Sequence, residues 1–328
     1  MNYVQLYQAI QDYSENTEPL FVANIPRFVQ ETEQRIYNSV QIPALRKNVT
    51  GTLTTGNQYL SAPEDYLSTY SLAVIDSNNN YNFLLNKDVN FLREAYPSVV
   101  YTSPAYQGTP EGVPKYYALF GSQYSNANEL SFMMAPTPDV SYNVELHYFY
   151  YPVSIVQGAL SGTGTFTSGT LYTNGSYANV PFQYVQGITG NGAGATANVV
   201  VSGGVVTSVT IQNGGNFYIV SNQLTINPIY IGGTGSGFVY TVGAIDNPAG
   251  TSWLGDNYDP VLLYGSLREA ILFMKGEQDM VSYYEKMYTE ALGQLKRWGD
   301  SLERNDAYRK GQTSLPYNQL WKTVAPVK

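Results

Sequence analysis

The stretch ANVVVSGGVVTSVTI, residues 197–211, reads as a β-hairpin: two runs of β-branched residues around the turn Ser202-Gly203-Gly204. It lies inside one hundred consecutive residues, 146–245, that contain no Asp, Glu, Lys or Arg. Eighteen of the chain's 30 glycines fall between Gly158 and Gly243, so turns there come often and strands are short. Gly214-Gly215 and the run 232–237 punctuate further strands. Two Gly-rich sites that precede strands, 192–194 and 235–237, hint at an internal repeat. A solenoid needs three or more, so the expectation is a small sandwich or β-prism. A Gly/Ser/Thr/Asn/Val module is thus set between two halves of another domain.

Outward from the module the hydrophobic period changes. Residues 3–14 read as a helix carrying Val4, Tyr7 and Ile10, with Leu6 alongside. A second helix is expected from Pro26 to Val40, with Pro26 in its first turn and Asn24 as its cap. On the far side, residues 260–275 and 280–298 are helical in period. Val281, Tyr284, Tyr288, Ala291, Leu295 and Trp298 alternate in steps of three and four. That spacing fits a seam packed on antiparallel neighbours, and equally the buried face of a plain amphipathic helix. Residues 46–151 are short apolar runs bounded by Gly, Asn and Pro. Asp76–Asn80 is a hairpin turn among them, and residues 88–96 form a short helix capped by Asp88. Beyond residue 299 the period is lost, and Pro316 and Pro326 point to an extended tail.

The fold expected is α+β: an antiparallel helical bundle from both chain ends, a mixed β-rich middle and an inserted Gly-rich all-β module. The segments are N-terminal helices over 1–45, the β-rich region over 46–157 and the uncharged module over 158–247. C-terminal helices follow over 248–299 and the extended tail over 300–328. The β region would hang from the bundle and the module from the β region.

With 328 residues, two domains are the default. The 31 tyrosines offer large contact area with a polar handle, which suits either core strands or assembly interfaces. Net charge is −8, with 14 acidic against 7 basic groups in residues 1–150. No basic stripe exists to hold phosphates, so sequence-independent affinity for nucleic acid is not expected, and an acidic wall would repel DNA passing near it. There is no Cys, which excludes disulfide and thiolate chemistry. Residues Met1–Gln5 lack the basic region and apolar run of a secretory leader, and no apolar stretch reaches 18 residues, so no membrane span is expected.

Catalytic signatures are absent from the sequence. His147 is the single histidine and lies in a strand pattern, without the motif of a nucleophile–histidine–carboxylate triad. Asp76, Asn78 and Asn80 begin like a calcium loop, but Tyr81 and Lys87 stand where Gly and Glu are required. The run 232–237 has neither a following helix nor a Lys-Ser/Thr, so it is a turn rather than a phosphate cradle. Glu64-Asp65 and Asp256/Asp259 remain formal carboxylate pairs for glycoside hydrolysis. No cofactor or metal is expected.

Several segments resemble the head-to-tail adaptor (neck, or tail tubular) proteins of short-tailed phages. They are MNYVQLYQAIQDYSE (1–15), NIPRFVQETEQR (24–35), IPALRKNVTGTL (42–53), YLSAPEDYL (59–67), FLLNKDVNFLREAY (83–96), VPKYYALF (113–120) and residues 254–308. The resemblance implies a non-enzymatic virion protein, assembled in the host cytoplasm, that forms a ring of usually twelve copies under the portal. DNA would pass through the ring without specific binding during genome ejection. Tail nozzle and fibre proteins would attach to the β parts. The tail would dock on the portal, with Arg304, Tyr308, Arg309, Tyr317, Leu320 and Trp321 as its anchors. The alternative is a carbohydrate-binding tail adhesin or fibre-attachment protein, in which Tyr172, Tyr177, Tyr184, Tyr218 and Tyr230 of the module stack on sugars.

Overall fold

The computed structural model describes residues 1–97, 99–100, 107–108, 110–121, 130–162 and 164–311. In chain order the helices are α1 (Tyr3–Ser14), α2 (Pro19–Ser39), α3 (Val89–Ala95), α4 (Trp253–Asn257), α5 (Asp259–Phe273) and α6 (Gln278–Gly311). Strands β1–β10 lie between α2 and residue 150, and β11–β18 between residues 159 and 246. The protein is mixed α+β. Residues 1–40 and 153–301 form one compact unit, and residues 41–152 make up the body of a second.

In the first unit, α1 starts on a reciprocal cap. Asn2 Oδ1 accepts from the Gln5 N–H at 3.0 Å, and Gln5 Oε1 accepts from the Asn2 N–H at 3.0 Å. Its buried residues are Tyr3, Leu6 and Ile10, so the stripe is one position off the expected one and Val4 points to solvent. The second helix begins seven residues earlier than expected. Pro19, not Pro26, occupies the first turn, and Pro26 is accommodated inside α2. Asn24 is not a cap: its Nδ2 donates to the Leu20 carbonyl one turn back, at 2.7 Å. The buried face of α2, from Phe21 to Tyr37, packs on α5. Gly265 on α5 makes the approach possible. A Cβ there would lie 2.3 Å from Thr32 Cγ2 and 3.1 Å from the Tyr288 ring on α6. Ion pairs run along the same faces, from Arg35 to Glu269 (3.1 Å) and from Arg268 to both Glu269 and Glu285.

The uncharged residues form a module within this unit. A two-stranded pair, β11 (Ala159–Leu160) and β18 (Ile245–Asp246), brings its entry and exit together. The main sheet contains β12 (Gly164–Thr170), β13 (Gly175–Tyr184), β14 (Thr196–Ser202), β15 (Val205–Asn213), β16 (Gln223–Ile226) and β17 (Ser236–Val242). Their order is β12-β17-β16-β13-β14-β15, antiparallel throughout. The outer strands β12 and β15 also touch, so one sheet curls around its own apolar face rather than stacking as the expected sandwich or prism. Val180, Phe182, Val199, Leu224, Phe238 and Tyr240 lie in that core. The hairpin read at 197–211 is β14–β15. Gly203 (φ 64°) and Gly204 (φ 79°) supply the left-handed turn that matches strand twist.

In the second unit, one sheet has the order β1-β10-β3-β4, from β1 (Arg46–Leu53), β3 (Tyr66–Ile75), β4 (Tyr81–Phe83) and β10 (Tyr142–Tyr150). The other has the order β2-β9-β8-β5, from β2 (Tyr59–Ser61), β5 (Leu85–Asn86), β8 (Tyr116–Gly121) and β9 (Ser131–Ala135). A short pair, β6 (Val99–Val100) and β7 (Gln107–Gly108), stands apart. Leu72, Val74, Val144 and Leu146 of the first sheet share a core with Tyr117, Phe132 and Met134 of the second. On the outer side of β8 and β9, Leu92 of α3 packs on Ala118, Met133 and Ala135. The expected turn closes β3 on β4: Asp76 Oδ1 accepts from the N–H groups of Asn78 (2.8 Å) and Asn80 (2.9 Å).

Two expectations are corrected here. The module does not hang from the β region; it shares a unit with the helices. Residues 300–311 are not an extended tail, because α6 continues through Gly311. Leu302, Glu303, Arg304, Ala307, Arg309 and Lys310 are good helix formers, so propensity continues the helix past the end of the apolar period.

Candidate functional site

The module is joined to α1 through Asn216 and Phe217. Asn216, three residues past β15, donates from Nδ2 to the Tyr3 phenol oxygen of α1 at 3.0 Å, and both residues are buried. Next to it, Phe217 sits against the rings of Tyr3 (5.3 Å) and Tyr7 (5.2 Å, edge-on). Burial pushes the Tyr3 and Tyr7 phenols up, so both stay neutral donors or acceptors.

Glu33 of α2 fixes the chain where it enters the unit. Its carboxylate accepts from Ser154 Oγ (2.5 Å) and from the Ile155 N–H (2.9 Å). Asn247 Nδ2, on the way out, donates to the Ser154 carbonyl at 2.8 Å. Burial raises the Glu33 carboxyl to about 7, and the two hydrogen bonds offset only part of that cost. Met1, through its backbone N, holds the Gly255 carbonyl beside α4, and the Tyr3 N–H donates to the Gly250 carbonyl at 2.8 Å. Neither Glu33 nor Asn216 was singled out by sequence. Glu33 carried a signal, a carboxylate four residues after Val29 on the apolar stripe of a helix; Asn216 carried none.

Of the six seam residues, Tyr284, Tyr288, Ala291 and Leu295 are buried, whereas Val281 is half-buried. Trp298 is exposed on one side and lies against Trp253, ring to ring at 5.3 Å. The Tyr284 and Tyr288 phenols are pushed up by burial. Of the tail residues, Arg304, Tyr308 and Arg309 fall in the backbone of α6; Tyr317, Leu320 and Trp321 lie outside the described residues.

Four helix ends meet at the end of the unit where α1 and α5 stop and α2 and α6 start. Asn16 Nδ2 reaches Met274 Sδ at 3.2 Å, and Phe21 packs on Phe273 at 6.3 Å. Here Tyr13, Leu20, Leu272, Phe273, Met280 and Tyr283 are 41–69% exposed. A cluster of large apolar side chains of this kind is unusual on a surface that meets only water. In the second unit, Tyr81 and Phe83 of the edge strand β4 are 51% and 67% exposed, their rings stacked at 6.3 Å, and Leu85 of β5 is 60% exposed.

Several of the formal catalytic candidates have structural partners. His147 pairs across the sheet with Asn48 and Ser71, and its ring lies 6.5 Å from that of Tyr70. Asp65 accepts from Lys47 Nζ (2.5 Å) and from the Tyr148 phenol (2.8 Å). Burial alone would raise its carboxyl, but these two donors hold it below the usual carboxylate range. Asp259 stands 3.8 Å from the Met1 amino group, and Asp256 lies in the first turn of α4. The sugar-stacking set is also corrected: Tyr172 and Tyr218 are 5% and 2% exposed in the module core, and Tyr177 and Tyr184 pack against it, which leaves Tyr230 free at 54%.

The family model of the SU10 adaptor proteins matches residues 1–176. The chain belongs to the SU10 adaptor protein family. The match takes in α1, α2, the whole body of the second unit and the first turns of the module. It agrees with the resemblance to phage head-to-tail adaptors and makes the protein a structural adaptor of a phage particle. No curated protein matches the chain. Among the described residues, no helix of the adaptor is long and apolar enough to cross a membrane.

Proposed function

We propose that the adaptor builds a ring between the portal and the tail, through which DNA passes. The observation that carries this reading is the apolar end of the helices, Tyr13, Leu20, Leu272, Phe273, Met280 and Tyr283. A ring closes through heterologous contacts, in which one surface of a copy meets a different surface of the next. The helix end and the apolar β4 edge are two such surfaces on one chain. Twelve copies would give the ring of the family it resembles. The excess of acidic groups in residues 1–150 would keep DNA phosphates off the wall. The C-terminal part of the chain would reach the portal, with Arg304, Tyr308 and Arg309 at the end of α6 and Tyr317, Leu320 and Trp321 beyond it as anchors. Nozzle and fibre proteins would attach to the β parts.

Leu20→Glu with Tyr283→Glu tests the ring. Both side chains are exposed, so helix content should stay normal while the protein sediments as a monomer. Truncation after Gly311 tests the strap. The shortened protein should still form rings but fail to co-sediment with portal rings. Normal rings from the double variant would remove the helix end from the interface.

A further inference from the structure

Strands β13, β16 and β17 of the module border an open cleft of about 570 Å³. The Tyr172 ring lies beneath it in the module core, 5% exposed. The Tyr172 phenol accepts from the Phe238 N–H at 3.1 Å, and the ring is covered closely by Gly235, where a Cβ would lie 2.2 Å away. The Tyr184 phenol accepts from the Gly192 N–H and donates to Asn222 Oδ1, each at 3.1 Å, which holds its half-buried ring at the cleft wall. Gly235 (φ 97°) and Gly237 (φ 82°) keep the rim without side chains, so a ligand could approach the backbone itself.

Gln183, Gln186 and Ser236 also line the cleft. All three are exposed, and among the described residues their side chains make no hydrogen bond. Two free carboxamides and a hydroxyl beside a fixed tyrosine ring offer paired donors and acceptors with no charge. Nothing in residues 146–245 carries a formal charge, so an anion finds no cation here and a cation finds no carboxylate. The ligand class that fits is neutral, rich in adjacent hydroxyls, and apolar on one face. An open trough suits a chain of such units better than a compact molecule. We propose that this cleft binds a neutral oligosaccharide, a function separate from ring building, with Gln183, Gln186 and Ser236 as its polar contacts and Tyr184, one of the tyrosines named from sequence, at its wall.

The test uses the full-length protein and saturation-transfer NMR with maltopentaose, chitopentaose and mannopentaose, and with sialyllactose as the acidic counterpart. At least one neutral probe should bind saturably, with no loss at high salt. Gln183→Ala with Gln186→Ala should weaken it at least tenfold while leaving thermal unfolding unchanged, since both side chains are exposed. Binding of no neutral probe, binding untouched by the double variant, or binding confined to sialyllactose would overturn the proposal. Capture of a tail protein through these residues without sugar binding would overturn it too. Labelled protein that binds host cells and loses them after periodate oxidation places the sugar on the cell. Oligosaccharide binding without cell binding places it on the particle.

Discussion

The module of residues 158–246 and the paired sheets of residues 46–150 are both mostly antiparallel, yet they satisfy their polar groups differently. The sheets use charges. Lys47 bridges to Asp65, which also takes the Tyr148 phenol; Arg46 lies over the rings of Tyr70 (3.7 Å) and Phe149 (5.0 Å). Glu145 accepts from Asn48 and Tyr81. The module uses amides, hydroxyls and backbone. Asn174 accepts from the Gly204 N–H, Asn198 from the Asn179 N–H, and Thr225 donates to the Phe238 carbonyl. Neutral hydrogen bonds are not screened by salt and do not titrate, so residues 158–245 should be indifferent to both; Asp246, at the module's exit, is the exception, its carboxyl raised by burial. Sensitivity to pH then belongs to the sheets and to the joint that ties the module down.

The largest effect should come from that joint. Tyr3→Ala removes a fully buried ring and leaves Asn216 buried without its partner. A loss of about 4 kcal/mol is expected in urea unfolding, typical of aromatic truncation in a core. Tyr3→Phe keeps the packing and should cost about 1–2 kcal/mol, the penalty of an unpaired buried amide. A loss below 0.5 kcal/mol for Tyr3→Ala would mean that the module is not held by α1.

The next effect is the pH response of Glu33. Its folded pKa, about 7, lies above the ordinary value of 4.5, so the folded state binds the proton more tightly. The stability this confers is fully present below about pH 4.5 and is lost as pH rises through 7. The span is about 3 kcal/mol, from about 1.4 kcal/mol per pKa unit. Tyr3 of α1 is the titratable group that faces it, and it stays neutral over this range. Glu33→Gln should flatten the dependence and raise Tm at pH 8 relative to the parent, as followed by calorimetry. A parent protein equally stable at pH 5 and pH 8 would contradict the burial of this carboxylate.

The smallest effect should have the opposite sign. Asp65 is held below its ordinary value, so its contribution is present above about pH 4 and is lost as pH falls through the lowered value. Its partner Lys47 is 47% exposed, which screens the pair and limits Asp65→Asn to about 1 kcal/mol at neutral pH. Acid titration of Asp65→Asn against the parent separates this term from that of Glu33.

Much of the fold was legible where the signal is local. The hairpin at 197–211 needs only its own β-branched runs and two glycines, and the Asp76 turn only its own side chain. Tyr284, Tyr288, Ala291 and Leu295 of α6 are buried, at the steps of three and four that mark a helix face. Competing local signals misplaced the start of α2. Pro19 and Pro26 both suit a first turn, and Asn24 suits a cap, but Asn24 bonds back to Leu20 within the helix. The attachment of the module was not legible at all. Tyr3 and Asn216 are 213 positions apart, and no periodicity couples them. The same holds for the apolar helix end, assembled from the ends of four helices. The cleft of the module is assembled from three strands, and the tyrosines that composition brought forward proved mostly to be its core.

Cryo-electron microscopy of the full-length adaptor mixed with portal rings tests the central claim most directly. The account predicts a closed ring of adaptors under the portal, with Tyr13, Leu20, Phe273 and Tyr283 buried between neighbouring copies. A protein that stays monomeric beside the portal, or a ring in which those four side chains face solvent, would contradict it.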